Sequence, residues 1–436
     1  MRRAVLLPPL LACTLMLQAQ APPTSAPQAS GALPATLTAS VQRNAAVAPL
    51  TLAQVLDQAH RANPTLLSGM EHLVATRANE VTAGLRQNPG FTGGAQMLTL
   101  KPNDPNGPPM YSAGVQRLFE RGGKRQIRLD NARATTAMTS DLLDDTQRQT
   151  DLAVRQAFAK MLYAQAALDI SRENFVGYKH TVDLMKTRLD IGDMDATDFE
   201  RVELQMAGFE SDFDNSMMNL KQASIALQSL LGIATPTDDF AITGTLEPEA
   251  LTYTQQELRD AALKSRPDLL AAQKLVDVNA STLKMAFANG TSDPTIEAEY
   301  ERSGTANTAG ANIQIPLRIF DRNQGEKERA KHELESSRLA LVAQRIQVIN
   351  DVDTAWVGYQ AALTQDARYR SKYLAEAAHV RDNLEFSYRH GNSTLLDYLS
   401  ALSDYRQVNL AALNANLQLL LAVEQLATAA HTEIQP

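Results

Sequence analysis

The sequence contains one pattern twice, with the two occurrences about 200 residues apart. Residues 60–67 read His-Arg-Ala-Asn-Pro-Thr-Leu-Leu, and residues 263–270 read Leu-Lys-Ser-Arg-Pro-Asp-Leu-Leu. Farther along, Gly192 and Gly391 each stand six residues before an aspartate that an aromatic residue follows. A tandem repeat of this length indicates one structural unit that is used twice, with the two copies side by side.

Both copies show the same order of predicted elements. Hydrophobic periodicity and the positions of proline and glycine predict two short helices, a β-hairpin, a very long helix, a glycine turn and a returning helix. In the first copy, residues 50–240, these are helices 50–62 and 64–86, hairpin 91–118 with strands 91–100 and 110–118, helix 124–191, the turn at Gly192 and helix 196–231. In the second copy, residues 241–436, they are helices 254–265 and 267–288, hairpin 295–317 with strands 295–302 and 308–317, helix 324–389, the turn at Gly391 and helix 394–430.

The predicted fold is therefore mainly α, with four β-strands per chain and unusually long helices. Between residues 124 and 191 there is no proline, and Gly177 is the one glycine. A helix of this length extends about 100 Å, which is more than a globular domain needs. Aromatic residues make up only 5% of the chain, which favours close packing of long helices through small side chains.

The N-terminus carries the pattern of an export signal. Residues 1–21 combine two arginines, an apolar stretch and small residues at the end, which is typical of a signal peptide. The Pro-, Ser- and Thr-rich residues 22–49 are predicted to be a disordered leader. Cys13 has two interpretations: it belongs to a cleaved apolar stretch, or residues 10–13 form a lipobox and Cys13 carries a lipid.

The hairpins show a two-sided pattern. On the third and fourth predicted strands, apolar and polar residues alternate, so that one face is apolar and the other is acidic and polar. The residues on the polar face are Glu297, Glu299, Glu301, Asn312 and Gln314. A half-buried soluble sheet shows the same alternation, but strands of nine or ten residues after a signal peptide also match tilted membrane-spanning strands. In that interpretation the polar face lines the lumen of a barrel.

Four strands are too few for a closed barrel, because the smallest outer-membrane barrels have about eight. An open barrel leaves strand edges unpaired in lipid, which is costly. The sequence therefore predicts that several chains share one barrel.

Two junction motifs lie where a strand becomes a long helix. Residues 116–125 read Gln-Arg-Leu-Phe-Glu-Arg-Gly-Gly-Lys-Arg, and residues 315–325 read Ile-Pro-Leu-Arg-Ile-Phe-Asp-Arg-Asn-Gln-Gly. With the tandem repeat, the hairpin-and-long-helix order and the two glycine turns, they make residues 50–430 resemble the TolC family of outer-membrane efflux proteins. The second motif most resembles the CzcC-type branch, which serves heavy-metal efflux pumps.

This resemblance implies a homotrimer in the outer membrane, in contact with lipid. Each chain contributes four strands to a twelve-stranded barrel and its helices to a tunnel across the periplasm. The implied function is a passive exit duct for an inner-membrane pump and a periplasmic adaptor, and the CzcC-type branch implies heavy-metal cations as the substrate. The resemblance also implies that the adaptor docks at the turns, on Arg188, Leu189, Gly192, Tyr388 and Gly391. The alternative is that these residues only form the turns.

The first turn is acidic, and the second is more basic. The charged residues singled out there as a channel entrance are Asp190, Asp193, Asp195, Asp198, Arg389 and His390. One interpretation of the acids is helix capping, which suits Asp195 best. The other is a ring of carboxylates that favours cations, for which Asp190 and Asp193 are the first candidates because they lie outside the cap. The basic residues of the second turn would pair with these acids and hold the entrance closed.

Several function classes find no support in the sequence. The net charge of −8 disfavours nucleic acid as a partner. The seven histidines are scattered, so no metal site or other cofactor is predicted. No catalytic motif is present, so the chain is not predicted to be an enzyme. The alternative to a channel is an exported coiled-coil scaffold or adhesion protein whose hairpins mediate assembly.

Overall fold

The structure, a computed structural model, describes residues 49–96, 109–246 and 251–432. The predicted signal peptide, residues 22–48 of the predicted leader, Cys13 and residues 97–100 of the first predicted strand lie outside these residues.

Long helices and two β-hairpins make up the described chain. The first set of elements is α1 (Leu52–Ala62), α2 (Pro64–Gly84), β1 (Gly90–Gln96), β2 (Met110–Leu118), α3 (Lys124–Asp190) and α4 (Ala196–Leu230). The second set is α5 (Gln255–Ser265), α6 (Pro267–Asn289), β3 (Thr295–Ser303), β4 (Ala306–Gln314), α7 (Gln324–Arg368), α8 (Leu374–Arg389) and α9 (Leu395–Ala430). A π-helical turn, Tyr369–Tyr373, joins α7 to α8.

Local hydrogen bonds define where the short helices begin. At the start of α5, the backbone N–H of Glu257 donates to Thr254 Oγ1 (3.3 Å), and the Glu257 carboxylate accepts from the Thr254 backbone N–H (2.8 Å). At the start of α2, Asn63 Oδ1 accepts from the backbone N–H of Thr65 (2.9 Å). Pro64 fits the first helical position, where a missing N–H costs nothing. These caps satisfy backbone donors that a helix leaves unpaired.

The four strands form one antiparallel sheet in the order β1-β2-β3-β4. The register places Val115 opposite Ala298, and Ala298 opposite Ala311. This register aligns the alternation of neighbouring strands, so one face of the sheet is apolar and exposed. The large side chains on that face are Phe91, Tyr111, Val115, Ile296, Tyr300 and Ile313.

The structure corrects several predicted boundaries. The second hairpin has a two-residue turn with Gly304 at φ 60°, so β3 ends at Ser303 and β4 begins at Ala306, two residues earlier than predicted. β4 ends at Gln314 rather than at residue 317, because its partner β3 begins only at Thr295. The first hairpin's β1 covers Gly90–Gln96 within the described residues.

The helix predicted over residues 324–389 contains one interruption. Residues Tyr369–Tyr373 form a π-helical turn, whereas α3, the corresponding long helix of the first set, is α-helical throughout. No proline or glycine marks this interruption, and its backbone angles at both ends are those of an α-helix. A pattern-based prediction therefore has no signal for it.

The helices pack side by side in a fixed order. Toward the sheet, α3 packs between α2 and α6, and α6 packs against α7. Toward the two glycine turns, α3 packs between α4 and α9, and α9 packs against α8. The helix α3 therefore lies between first-set and second-set elements along its whole length.

Three apolar clusters hold these helices together. The first joins α1, α3 and α4 through residues such as Val55, Val154 and Leu227. The second joins α5, α7 and α9 through Leu258, Val352 and others. The third lies near the glycine turns and contains Tyr178, Met185, Val202, Phe209, Tyr398 and Leu399. Among the described helices, α9 is the one long and apolar enough to cross a membrane by length and composition, and its apolar residues contribute to the second and third clusters.

Candidate functional site

The two glycine turns have the same backbone geometry. The N–H of Gly192 donates to the Leu189 carbonyl (3.0 Å), and the N–H of Asp193 donates to the Arg188 carbonyl (2.8 Å). The second turn repeats these bonds, from Gly391 to Tyr388 (3.1 Å) and from Asn392 to Ser387 (2.8 Å). Both are Schellman motifs, which end a helix with a residue in the left-handed region.

Glycine suits this position because φ is 77° at Gly192 and 73° at Gly391. The spacing of the two glycines in the sequence therefore corresponds to one repeated structural device.

Two of the acids in the first turn serve the start of α4. Asp195 is the N-cap, and its Oδ1 accepts from the Thr197 backbone N–H at 2.8 Å. That bond holds the pKa of the Asp195 carboxyl below its usual value. Asp198 lies in the first turn of α4 and pairs with Arg201 at 3.5 Å. The capping interpretation therefore describes Asp195.

The other two acids face solvent at the turn. Asp193 and Asp190 are both exposed. Asp193 approaches Arg188 at 3.6 Å, and both partners are more than 40% exposed, so this pair is weak. Asp190 makes no ion pair within the part of the chain that the structure describes. Asp190 and Asp193 are therefore available for the carboxylate ring that is predicted for an assembly of several chains.

The basic residues of the second turn bind their own helix. Arg389 pairs with Glu385 at 2.5 Å, one helical turn earlier. The His390 ring packs on Phe386, with centroids 4.0 Å apart, and its Nδ1 lies 2.8 Å from the Phe386 carbonyl oxygen. Within one chain, Arg389 and His390 therefore do not form the predicted pairs with the acids of the first turn. The i, i+4 spacing of Glu385 and Arg389 was a signal for the observed pair.

The link between the two turns uses different residues. Arg188 Nη1 lies 3.3 Å from Tyr388 Oη, and its guanidinium carbon is 5.7 Å from the centre of the Tyr388 ring. Tyr388 in turn stacks on Tyr398, with centroids 5.6 Å apart and planes 3° from parallel. Two predicted docking residues, one from each copy, thus meet directly.

A buried aromatic layer supports this link and was not predicted as part of the site. Tyr178 stacks on Phe209 with centroids 4.3 Å apart, and its hydroxyl donates to the Val202 carbonyl at 2.9 Å. Burial raises the pKa values of the Tyr178 and Tyr398 hydroxyls. The sequence signal for Tyr398 was its position after Asp397, which matches the aromatic residue after Asp198.

A cavity of about 680 Å³ opens beside the link, between α3, α8 and α9. Arg188, Tyr388 and Arg389 line it, whereas Leu189 lies near the end of α3 and the two glycines lie in the adjoining turns. The five predicted docking residues therefore lie near one another at the same end of the helices.

The predicted lumen residues share one face of the sheet. Glu297 pairs across the ladder with Asn312, and Gln314 pairs with Thr295 on the same face. Glu299 and Glu301 follow Glu297 at every second position of β3. Thr92 Oγ1, on β1, donates to Glu297 Oε1 at 3.3 Å. All five predicted lumen residues thus lie opposite the apolar face.

Within the described ranges, no group of three or more His, Cys, Asp or Glu side chains is arranged to hold a metal ion. The acids at the turn and on the sheet are spread along surfaces, which suits transient contact with passing cations better than tight coordination.

The family follows from a comparison with known sequences. Residues 55–233 and 258–430 match the family model described as "Outer membrane efflux protein", which covers more than half of the chain. The chain belongs to this family. Its members are outer-membrane channels that extend into the periplasm, and they are not enzymes. The predicted family and the predicted outer-membrane location are therefore confirmed.

Individual relatives in this family are distant. The cobalt-zinc-cadmium resistance protein CzcC of Cupriavidus metallidurans is 24% identical over 82% of this chain and 84% of its own length. The outer membrane protein TolC of Vibrio cholerae is 22% identical over 87% of this chain and 90% of its own length. A crystal structure of CusC superposes with a TM-score of 0.74 at 19% identity, covering 90% of this chain and 96% of that one. The predicted fold class, mainly helical with four strands and TolC-like, is confirmed.

Proposed function

We propose that this protein forms a homotrimeric exit duct, which passively conducts substrates delivered by an inner-membrane pump through a periplasmic adaptor. The observation that carries the proposal is that the sheet and the adjoining layer of helices each end in a first-set element on one side and a second-set element on the other. The two units proposed from the sequence, residues 50–240 and 241–436, each supply one edge of every layer.

The sheet has two open edges. Among the strands that the structure describes, in the order β1-β2-β3-β4, both β1 and β4 have a neighbour on one side only. Unpaired backbone groups cost several kcal/mol each in hydrocarbon, so edges in a membrane must be paired. Pairing β4 of one copy with β1 of the next closes a ring, and three copies give twelve strands, within the range of known outer-membrane barrels.

The helices near the sheet have the same open ends. In the order α2-α3-α6-α7, the outer helices are α2 and α7. Both carry apolar side chains that a single chain leaves more than half exposed: Val74, Val81, Leu339, Val342 and Ile346. These recur at helical spacing, which suits packing of α7 on α2 of the next copy. Ring closure thus uses first-set and second-set edges at each level.

The polar surfaces favour cations as cargo. Each copy provides Glu297, Glu299 and Glu301 to one sheet face, and Asp190 and Asp193 to the turn. In a closed ring these carboxylates surround the lumen and the entrance, where they attract cations and repel anions. The name of the relative CzcC refers to resistance to cobalt, zinc and cadmium. We therefore propose divalent heavy-metal cations as the substrate class.

The adaptor is proposed to dock at the turns. The proposed docking residues lie together at the end of the helices: Arg188, Leu189, Gly192, Tyr388 and Gly391. The cavity beside Arg188 and Tyr388 forms a recess in that surface. Docking there would compete with the Arg188–Tyr388 contact and separate the two turns. In this proposal the adaptor opens the entrance by replacing contacts within the chain.

The decisive experiment measures assembly and conduction together. The full-length protein, purified in detergent, is expected to have the mass of three chains and to form cation-selective channels in planar lipid bilayers. A protein that stays soluble and single-copy without detergent would instead support the exported scaffold. Deleting the gene tests the cargo: sensitivity to zinc, cobalt or cadmium is expected to rise, and a change confined to organic compounds contradicts the metal proposal.

A further inference from the structure

A group of arginines lies at the end of the sheet nearest the helices. Arg117 is in β2, Arg86 follows α2, and Arg121 and Arg125 belong to the junction between β2 and α3. All four are exposed. Arg86, Arg117 and Arg125 line a cavity of about 470 Å³ together with Phe119. The fold therefore gathers arginines from separate elements around one cavity.

The carboxylates near this cavity are already engaged. Glu120 lines the cavity but accepts two hydrogen bonds from Arg128. Asp293 accepts from the buried Lys124 Nζ at 2.5 Å. Among the described residues, Arg86, Arg117, Arg121 and Arg125 form no ion pair with a carboxylate. The cavity therefore carries uncompensated positive charge.

Two of the arginines are held in place by other contacts. Arg125 Nε donates to the Gly84 carbonyl at the end of α2, at 2.5 Å. The Arg117 guanidinium carbon lies 5.2 Å from the centre of the Phe119 ring. These contacts leave the remaining guanidinium N–H groups free to bind an acceptor.

Arg117 stands at one end of the apolar face of the sheet. It pairs across the ladder with Ile296 and follows Val115 on the same face. Phe119, 41% exposed, comes next. An arginine at the end of a lipid-facing surface keeps its aliphatic stem in hydrocarbon and extends its charged group to the lipid phosphates.

The second junction has the same chemical character. Leu317, Ile319 and Phe320 are exposed, and Phe320 is 91% exposed. Arg318 and Arg322 lie in the same segment and are also exposed. Apolar and aromatic side chains beside arginines are typical of the boundary between membrane and water. Both junctions therefore lie at the level of one membrane surface, on the side of the helices.

We propose that the cavity formed by Arg86, Arg117, Phe119 and Arg125 binds the phosphate group of an anionic phospholipid in the periplasmic leaflet. The arginines bind the phosphate, and the acyl chains lie along Val115 and Ile296. A free phosphate ion makes no use of this adjoining apolar face, which is why the site is assigned to a lipid. The inference rests on the proposed barrel, because that barrel places the apolar face in the membrane.

The test uses the full-length protein in nanodiscs of phosphatidylethanolamine with phosphatidylglycerol. Native mass spectrometry counts both the protein chains and the lipids that stay bound. The wild type is expected to retain phosphatidylglycerol in preference to phosphatidylethanolamine. In the variant Arg86→Gln/Arg117→Gln, the preference for phosphatidylglycerol is expected to fall about tenfold. The control variant Arg172→Gln/Arg201→Gln removes the same charge from α3 and α4 and is expected to retain the preference for phosphatidylglycerol.

The outcomes separate this inference from the proposed function, because one spectrum reports both. A wild-type trimer without a preference for phosphatidylglycerol overturns the lipid site and leaves the channel intact. Dissociation of the Arg86→Gln/Arg117→Gln trimer assigns these arginines to the subunit contact and also overturns the lipid site. Displacement of phosphatidylglycerol by millimolar inorganic phosphate shows a simple anion site and overturns the lipid assignment. A single-chain wild type overturns the proposed function, and the lipid inference with it.

Discussion

Arg188 and Tyr388, two hundred residues apart in the chain, meet where the long helices turn, with 3.3 Å between Nη1 and Oη. Each belongs to the last turn of its helix, just before a glycine in the left-handed region. The contact joins the α3–α4 turn to the α8–α9 turn. The two halves of the proposed entrance are thus tied by a polar contact above a buried aromatic layer.

Removing this contact is expected to favour the open entrance. The Arg188 guanidinium is charged, and a hydrogen bond to a charged group contributes about 1.5 kcal/mol or more. Tyr388→Phe, which retains the ring on Tyr398, is therefore expected to raise the open-to-closed ratio about tenfold. Arg188→Ala removes the contact to the ring as well and is expected to have a larger effect. Single-channel recordings measure the ratio, and identical recordings for all three proteins would refute a closing role for the pair.

The exposed acids of the first turn are expected to set ion preference. Asp190→Asn/Asp193→Asn removes two charges per chain, so the permeability ratio of potassium to chloride is expected to fall. Asp169→Asn/Asp214→Asn removes the same charge from exposed positions on α3 and α4 and serves as the control. Reversal potentials in a salt gradient give the ratio, and equal values for both variants would exclude a selective ring at the turn.

Acid is expected to loosen the starts of α4 and α9. Hydrogen bonds from Thr197 and Thr394 hold the pKa values of Asp195 and Asp397 below their usual value. A lowered pKa means that the carboxylate stabilises the fold at neutral pH and that this stabilisation is lost as pH falls below about 4.

Hydrogen exchange at the Thr197 amide checks this expectation. Asp195→Ala is expected to accelerate exchange severalfold at pH 7, whereas Asp195→Asn retains a capping oxygen and is expected to change it little. Unchanged exchange in Asp195→Ala would show that the cap does not hold the start of α4.

Replacing Gly177 or Gly192 with alanine is expected to change the stability of the fold in opposite directions. At either position an added Cβ would meet no other atom within 4 Å among the described residues. Gly192 has φ 77°, so alanine is strained there and costs about 1–2 kcal/mol. Gly177 lies within the α-helix, so alanine is expected to gain about 0.5–1 kcal/mol. Thermal unfolding midpoints test the signs, and a lower midpoint for Gly177→Ala would contradict the argument.

Arg266 is expected to matter more to stability than any exposed arginine. It is 4% exposed and binds both Asp268 (2.6 Å) and Asp351 (2.9 Å). Arg266→Met leaves these acids without their partner and is expected to cost about 3–5 kcal/mol. Arg259→Met breaks the pair with Asp353, in which both side chains are about one-third exposed, and is expected to cost less than about 1 kcal/mol. Equal losses in denaturant unfolding would contradict this ranking.

The pattern of neighbouring residues predicted most of the local structure. Alternation along β3 and β4 predicted which side chains share a face, because side chains on a strand point alternately to opposite sides. The two glycines predicted the turns, because a helix commonly ends with a left-handed residue. The π-helical turn was missed because Tyr369–Tyr373 contains neither proline nor glycine.

The sequence by itself determined the repeated order of elements, the two-faced strands and the caps, since each depends on residues only a few positions apart. Only the tertiary structure decided which distant residues meet. The link from Arg188 to Tyr388 and the arginines around Phe119 both result from how α3 packs against its neighbours. Such contacts depend on helix rotation and axial position, because a shift of one residue turns a side chain by about 100° around the helix axis.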